Sequence, residues 1–100
     1  QYKLGRMAAH LQAARQLTYE AALAMDADET NSLQPAMAKL LACDIAVWVT
    51  QEGQLIHGGW GYDVSVGIER ALRDARVTRL YEGTNEMQKL QVARFAVASV

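Results

Sequence analysis

The stretch LGRMAAHLQAARQLTYEAALAM, Leu4 to Met25, decides the fold. Leu4, Met7, Leu11, Ala14, Thr18, Ala21 and Met25 recur at alternating spacings of three and four, which places them on one helical face. Arg6, Gln12, Gln16 and Glu20 fall on the opposite face. The stretch is rich in alanine and lacks proline, so intrinsic propensity agrees with the period. The spacing predicts a first helix from about the N-terminus to Met25, followed by a polar loop from Asp26 to Ser32.

Working outward, Ser32 can cap a second helix that tolerates Pro35 in its first turn. Met37, Leu41, Ile45, Trp48 and Leu55 continue its buried side. Leu40, Val49 and Ile56 widen the stripe, so neighbours are expected on more than one side. Gly58-Gly59-Trp60-Gly61 ends this helix by removing the Cβ constraint. A short third helix is expected over Val66 to Asp74, with Ile68 and Leu72 facing inward. Val77 to Gly83 reads as a turn or short extended stretch. Asn85 and Gln88 have capping-box spacing. Met87, Leu90, Ala93, Val97 and Val100 are then the expected inner face of a last helix. No run alternates at period two. The expected fold is all-α: an up-down antiparallel helical bundle, one domain over residues 1–100.

Composition narrows function. The chain has 100 residues, 51% of them apolar, so it is no disordered tail. Ten Lys+Arg against eleven Asp+Glu give no electrostatic case for nucleic acid or an anionic membrane surface. The longest apolar run, Ile45 to Val49, is too short to span a bilayer, and no targeting segment is visible. The single Cys43 excludes an internal disulfide and fits a reducing compartment. His57 has no second ligand at metal-binding spacing, so no metal site is expected, and His10 reads as a satisfied or surface histidine. Trp48 and Trp60 read as packing residues.

Chemistry concentrates between Gln54 and Arg94. The turn His57-Gly58-Gly59-Trp60-Gly61-Tyr62 allows close backbone approach, either to a flat or phosphorylated ligand or where two backbones cross. Glu69 with Arg73, and Arg70 with Asp74, have ion-pair spacing on a solvated helix face. Arg73 and Asp74 could instead anchor the following turn. In Tyr81-Glu82-Gly83-Thr84-Asn85-Glu86 a carboxylate precedes a helix. Burial beside an apolar ligand would make Glu82 a usable base, with Thr84 and Asn85 offering donors at the helix start. Plain capping with an exposed Glu82 fits the same spacing.

Together, HGGWGYDVSVGIERALRDARVTRLYEGTNEMQKLQVAR from His57 to Arg94 resembles the C-terminal part of the acyl-CoA dehydrogenase family. The carrying motifs are a GG-x-G-aromatic turn, an ER…RD-x-R helix and YEGT-x-x-x-Q, in order. QAARQLTYEAA, Gln12 to Ala22, and MAKLLACDIA, Met37 to Ala46, resemble the preceding helices, so the likeness covers essentially the whole chain. The resemblance implies a three-domain FAD enzyme, dimeric or tetrameric, of which these residues form an incomplete C-terminal four-helix bundle. It implies that Glu82 removes an α-proton from an acyl-CoA as hydride leaves the β-carbon for flavin, giving a trans-2-enoyl-CoA. The Glu82 N–H would polarise the thioester carbonyl and Gly83 would line the substrate site. Leu55, Ile56, His57, Gly58 and Gly59 match the turn that meets the FAD of a neighbouring subunit. Thr84, Asn85 and Glu86 match positions contacting the cofactor after the YEGT motif.

An electron-transferring flavoprotein is the implied acceptor. The implied location is the cytoplasm of a bacterium or the mitochondrial matrix of a eukaryote. The 100 residues alone are expected neither to hold FAD tightly nor to turn over substrate. Two departures stand out: Gln54 lies one place before the position where many relatives carry Gln, here Leu55, and Gly67-Ile68 replaces a frequent Pro-Val. Two other functions stay open at this point. One is a stand-alone helical module that self-associates or binds a partner helix; the other is a relative that oxidises its substrate directly with oxygen.

Overall fold

The computed structural model describes residues 1–29 and 33–100. Four helices occur in order: α1 (Tyr2–Asp26), α2 (Leu33–Ile56), α3 (Ile68–Val77) and α4 (Asn85–Ala98), with a 3₁₀ turn at Gly58–Tyr62 between α2 and α3. No strand is present among the described residues. The all-α bundle expected from the periodicity is the observed fold. The proposed cap at Ser32 lies outside the described residues.

The hub is α2, against which α1, α3 and α4 all pack, whereas α1 touches neither α3 nor α4. This accounts for the buried Ile45 and Val47, whereas Met37, Leu41, Leu55 and Ile56 of the expected stripe are exposed. It also explains why α2 is, by length and composition alone, just apolar enough to cross a membrane, although no single apolar run in it is long. Its surroundings are other helices, and it carries Lys39 and Asp44. The buried core is small-grained: Ala14, Ala21, Ala36, Ala38, Ile45, Val47 and Ala75. Alanines at the seams let helix axes approach toward the lower end of the usual ~8–10 Å range.

Helix ends have identifiable causes. Asp28 is left-handed (φ 55°) just beyond α1. The Glu29 N–H donates to the Ala24 carbonyl and the Asp28 N–H to that of Met25, a Schellman motif without glycine. Gly58 (φ 61°) stops α2. The third helix starts two residues later than the sequence suggested and runs three further. Ser65 donates its N–H and hydroxyl to Asp63 Oδ1, and Gly67 is left-handed (φ 85°), so the chain cannot be helical before Ile68. Val77 is the last residue of α3, and Thr78 to Gly83 is a series of turns, with Thr78, Arg79 and Leu80 each donating to the carbonyl three residues back.

Two expected faces are corrected. On α1 the packed row is Met7, His10, Ala14, Leu17, Ala21 and Ala24, while Leu4, Leu11, Thr18 and Met25 lie on an uncovered side. Arg6 is not on the far face; its guanidinium sits 5.1 Å from the centre of the Trp48 ring. The His10 ring also lies against it, tilted by 44° with the ring centres 4.8 Å apart. On α4 the whole expected face is outward: Met87 and Leu90 are each 56% exposed and Val97 75%. The helix instead turns Asn85, Gln88, Val92 and Phe95 toward α2. The apolar side lines an open groove formed by Met87, Leu90, Gln91, Arg94, Phe95 and Ala98. Trp60 is likewise exposed rather than packed. Apolar periodicity alone does not tell which face the chain itself covers.

Candidate functional site

The loop between α3 and α4 carries Tyr81-Glu82-Gly83-Thr84. Glu82 and Gly83 are both left-handed, at φ 53° and 88°. For Glu82 that conformation costs roughly 1–2 kcal/mol, so the rest of the loop must hold it. Thr84 is the cap of α4, its hydroxyl accepting from the Met87 N–H at 3.3 Å. The expected Asn85–Gln88 capping box is therefore one residue out of frame, and Asn85 is the first residue of the helix. Glu86 lies in the first turn, where a negative charge suits the helix dipole. The Glu82 side chain is exposed. Among the described residues no backbone carbonyl accepts from its N–H.

Helix α2 grips this loop. Lys39 donates to the Gly83 carbonyl at 2.8 Å and to Asn85 Oδ1 at 3.0 Å. Asn85 Nδ2 donates to Asp44 Oδ1 at 2.9 Å. The same carboxylate oxygen takes Arg79 Nε at 3.1 Å. The Asn85 N–H donates to the Arg79 carbonyl, closing the loop at its base. The Cys43 thiol donates to the Thr78 carbonyl at 3.3 Å. Asn85 is 1% exposed and is the one buried polar residue among those described. Grouped with the cofactor contacts by resemblance, it turns its side chain inward. Lys39, Asp44 and Arg79 were not singled out from the sequence. For Lys39 and Asp44, charge within a largely apolar stretch of α2 was the available signal.

The glycine turn lies at the other end of α2. His57 donates through Nδ1 to the Gly53 carbonyl at 2.7 Å, and Gln54 Nε2 donates to the Gly61 carbonyl at 3.1 Å. Gly61 is where the backbones cross: a Cβ there would sit 2.5 Å from the Gln54 carbonyl oxygen. Gly58 and Gly59 face open space. Leu55, Ile56 and His57 beside them are exposed. Gln54, whose displacement set it apart from relatives, thus closes the turn internally. Along α2, Lys39 and His57 are 18 residues apart, about 27 Å at helical rise. The two groups of expected site residues are not brought together within this chain.

The charged face of α3 is a solvated one. Arg73 makes a two-point bond to Glu69, at 2.9 and 3.2 Å, which holds its guanidinium above the ordinary arginine range. Arg70 pairs with Asp74 at 3.6 Å. The alternative, that Arg73 and Asp74 anchor the next turn, is replaced by Arg79 on Asp44.

Residues 1–97 match the family described as acyl-CoA dehydrogenase, C-terminal domain. The chain belongs to this family. Acyl-CoA dehydrogenase relatives include the mitochondrial short-chain specific acyl-CoA dehydrogenase of Bos taurus, 45% identical over 93% of this chain and 23% of the relative. The 3-(aryl)acrylate reductase of Clostridium sporogenes is 42% identical over 93% of this chain and 25% of the relative. Among solved structures, butyryl-CoA dehydrogenase from Megasphaera elsdenii superposes with a TM-score of 0.93 and 38% identity, covering 96% of this chain and 25% of that one. The chain therefore spans about a quarter of the length of the curated relatives it matches.

Proposed function

We propose that this chain is part of an FAD-dependent acyl-CoA dehydrogenase in which Glu82 takes the α-proton of an acyl-CoA thioester. The observation that carries this is Glu82 itself: a carboxylate on a left-handed residue, on a loop bonded to α2, with its N–H unclaimed by any described backbone carbonyl. A free N–H beside a base can donate to the thioester oxygen. Charge growing there on deprotonation would be stabilised, and a preorganised donor of this kind is worth about 3–4 kcal/mol. Apolar substrate packed over the loop would exclude water and raise the basicity of Glu82. Gly83 would line the same space; its φ of 88° favours glycine, and a Cβ there would have to displace the end of the Gln88 side chain, 2.7 Å away.

The exposed Leu55, Ile56 and His57, with the open backbone of Gly58 and Gly59, fit an edge of a flat ligand. Thr84 and Glu86 at the start of α4 would meet the cofactor held by their own subunit. Because the two groups lie at opposite ends of α2, they suit FAD sites shared between copies of the chain. FAD, when bound, supplies the acceptor for the β-hydride. The exposed apolar faces of α1 and α4 fit burial in a dimer or tetramer. An electron-transferring flavoprotein is the proposed oxidant, and a bacterial cytoplasm or mitochondrial matrix the proposed location. The reductase among the relatives makes the direction of turnover part of the test. The parent flavoenzyme, purified with its cofactor and mixed anaerobically with butyryl-CoA, should lose its oxidised flavin absorbance and yield an enoyl-CoA. A purified parent without flavin, or flavin left oxidised by straight-chain acyl-CoAs, would overturn the proposal.

A further inference from the structure

We infer that Asn85 is a positioning residue for Glu82, acting through a buried bridge between Lys39 and Asp44. The inference rests on Glu82 being the α-proton base. The exposed carboxylate has no bonded partner among the described residues, so its place is set by the backbone on which it stands. That backbone is left-handed at two successive residues, a conformation that neighbouring structure must enforce. Asn85 enforces it from both sides. Its amide oxygen takes the Lys39 ammonium, which also holds the Gly83 carbonyl, the group just after Glu82. Its amide nitrogen binds the Asp44 oxygen that also takes Arg79, the residue three before Glu82. Its own N–H returns to the Arg79 carbonyl. Both feet of the catalytic loop thus meet through one buried side chain. Capping does not explain Asn85, because Thr84 already caps α4. The bridge asks one side chain to accept from lysine and donate to aspartate, and the Asn85 amide does so with a separate atom for each partner.

The test uses the flavin-loaded parent enzyme and three variants: Asn85→Asp, the exchange pair Asp44→Asn with Asn85→Asp, and Glu82→Gln. The readouts are kcat, KM, flavin content and exchange of butyryl-CoA α-protons with D2O followed by NMR. Asn85→Asp sets a second carboxylate against Asp44. It should lower kcat and α-proton exchange together by about 100-fold, the cost of misplacing a reacting group by about 1 Å, with KM and flavin content retained. The exchange pair restores the donor–acceptor order and should recover exchange to within about fivefold of the wild type. Wild-type exchange and kcat in flavin-loaded Asn85→Asp overturn the inference, as does a flavin-loaded exchange pair that stays slow. If Asn85→Asp does not load flavin, Asn85→Ser is measured the same way, and wild-type exchange there overturns it. Glu82→Gln separates the layers: retained exchange in that variant removes the base assignment itself, whereas lost exchange with an indifferent Asn85 removes only the positioning role.

Discussion

Replacing Gly61 by alanine tests how the glycine turn is built. A Cβ there would lie 2.5 Å from the Gln54 carbonyl oxygen, 2.8 Å from Gln54 Cγ and 3.2 Å from Gln54 C. Two of those atoms are backbone of the last turns of α2 and cannot rotate aside. Relief requires moving the 3₁₀ turn off the helix, which strains the Gln54–Gly61 bond. Overpacking of this kind costs about 1–3 kcal/mol. The matched control is Gly59→Ala. That glycine meets nothing within 4 Å and its φ is not positive, so alanine should be neutral or slightly stabilising, by up to ~1 kcal/mol. The assay is native-state hydrogen exchange at the Asp63 N–H, which bonds to the Trp60 carbonyl. Gly61→Ala should speed its exchange roughly 5- to 160-fold, the conversion of 1–3 kcal/mol. Equal protection in the two variants would refute the close-approach argument.

Other consequences follow from the same contacts. Asn85→Ala removes two hydrogen bonds to charged partners and should destabilise the α3–α4 loop by about 2–4 kcal/mol, read as loss of amide protection from Leu80 to Asn85. The Asp63 carboxyl is held below the usual carboxylate range, first by the Ser65 hydroxyl and then by the Ser65 N–H. Its folded pKa is depressed, so any stability it supplies is complete above the unfolded value of about 3.9 and is lost as pH falls through the lower folded value. Ser65→Ala should move the NMR titration of Asp63 upward toward that value. Leu90→Glu, on the exposed face of α4, should weaken self-association in sedimentation equilibrium, and an unchanged assembly mass would show that this face is not an interface.

Helix number, order and approximate limits were legible because each helix carries its own apolar period and each end a local stop. Which apolar face turns inward was not. Leu4 and Leu11 on α1, and Met87, Leu90 and Val97 on α4, repeat as regularly as core residues. Period alone does not say which apolar face the chain itself covers, and on α4 the expected face is the outward one. The left-handed Asp28 also escaped, since no glycine marks it. At the site, the YEGT loop was legible through its motif, but the bridge that holds it was not. Lys39 and Asp44 lie more than 40 positions before Asn85, and no local spacing connects them. Their charge within an apolar helix was the one available clue, because a charged group near a core persists only when paired.

The most direct test of the central claim is rapid-mixing absorbance of flavin reduction by butyryl-CoA in the parent enzyme, wild type against Glu82→Gln. The amide keeps the size of the side chain and its hydrogen-bonding reach but cannot take a proton. If Glu82 is the base, the Gln variant keeps its flavin and binds acyl-CoA, while the reduction rate falls by about 10²–10⁴-fold, the usual worth of a positioned base. Reduction at an undiminished rate would contradict the account and place the proton-abstracting group elsewhere in the parent protein.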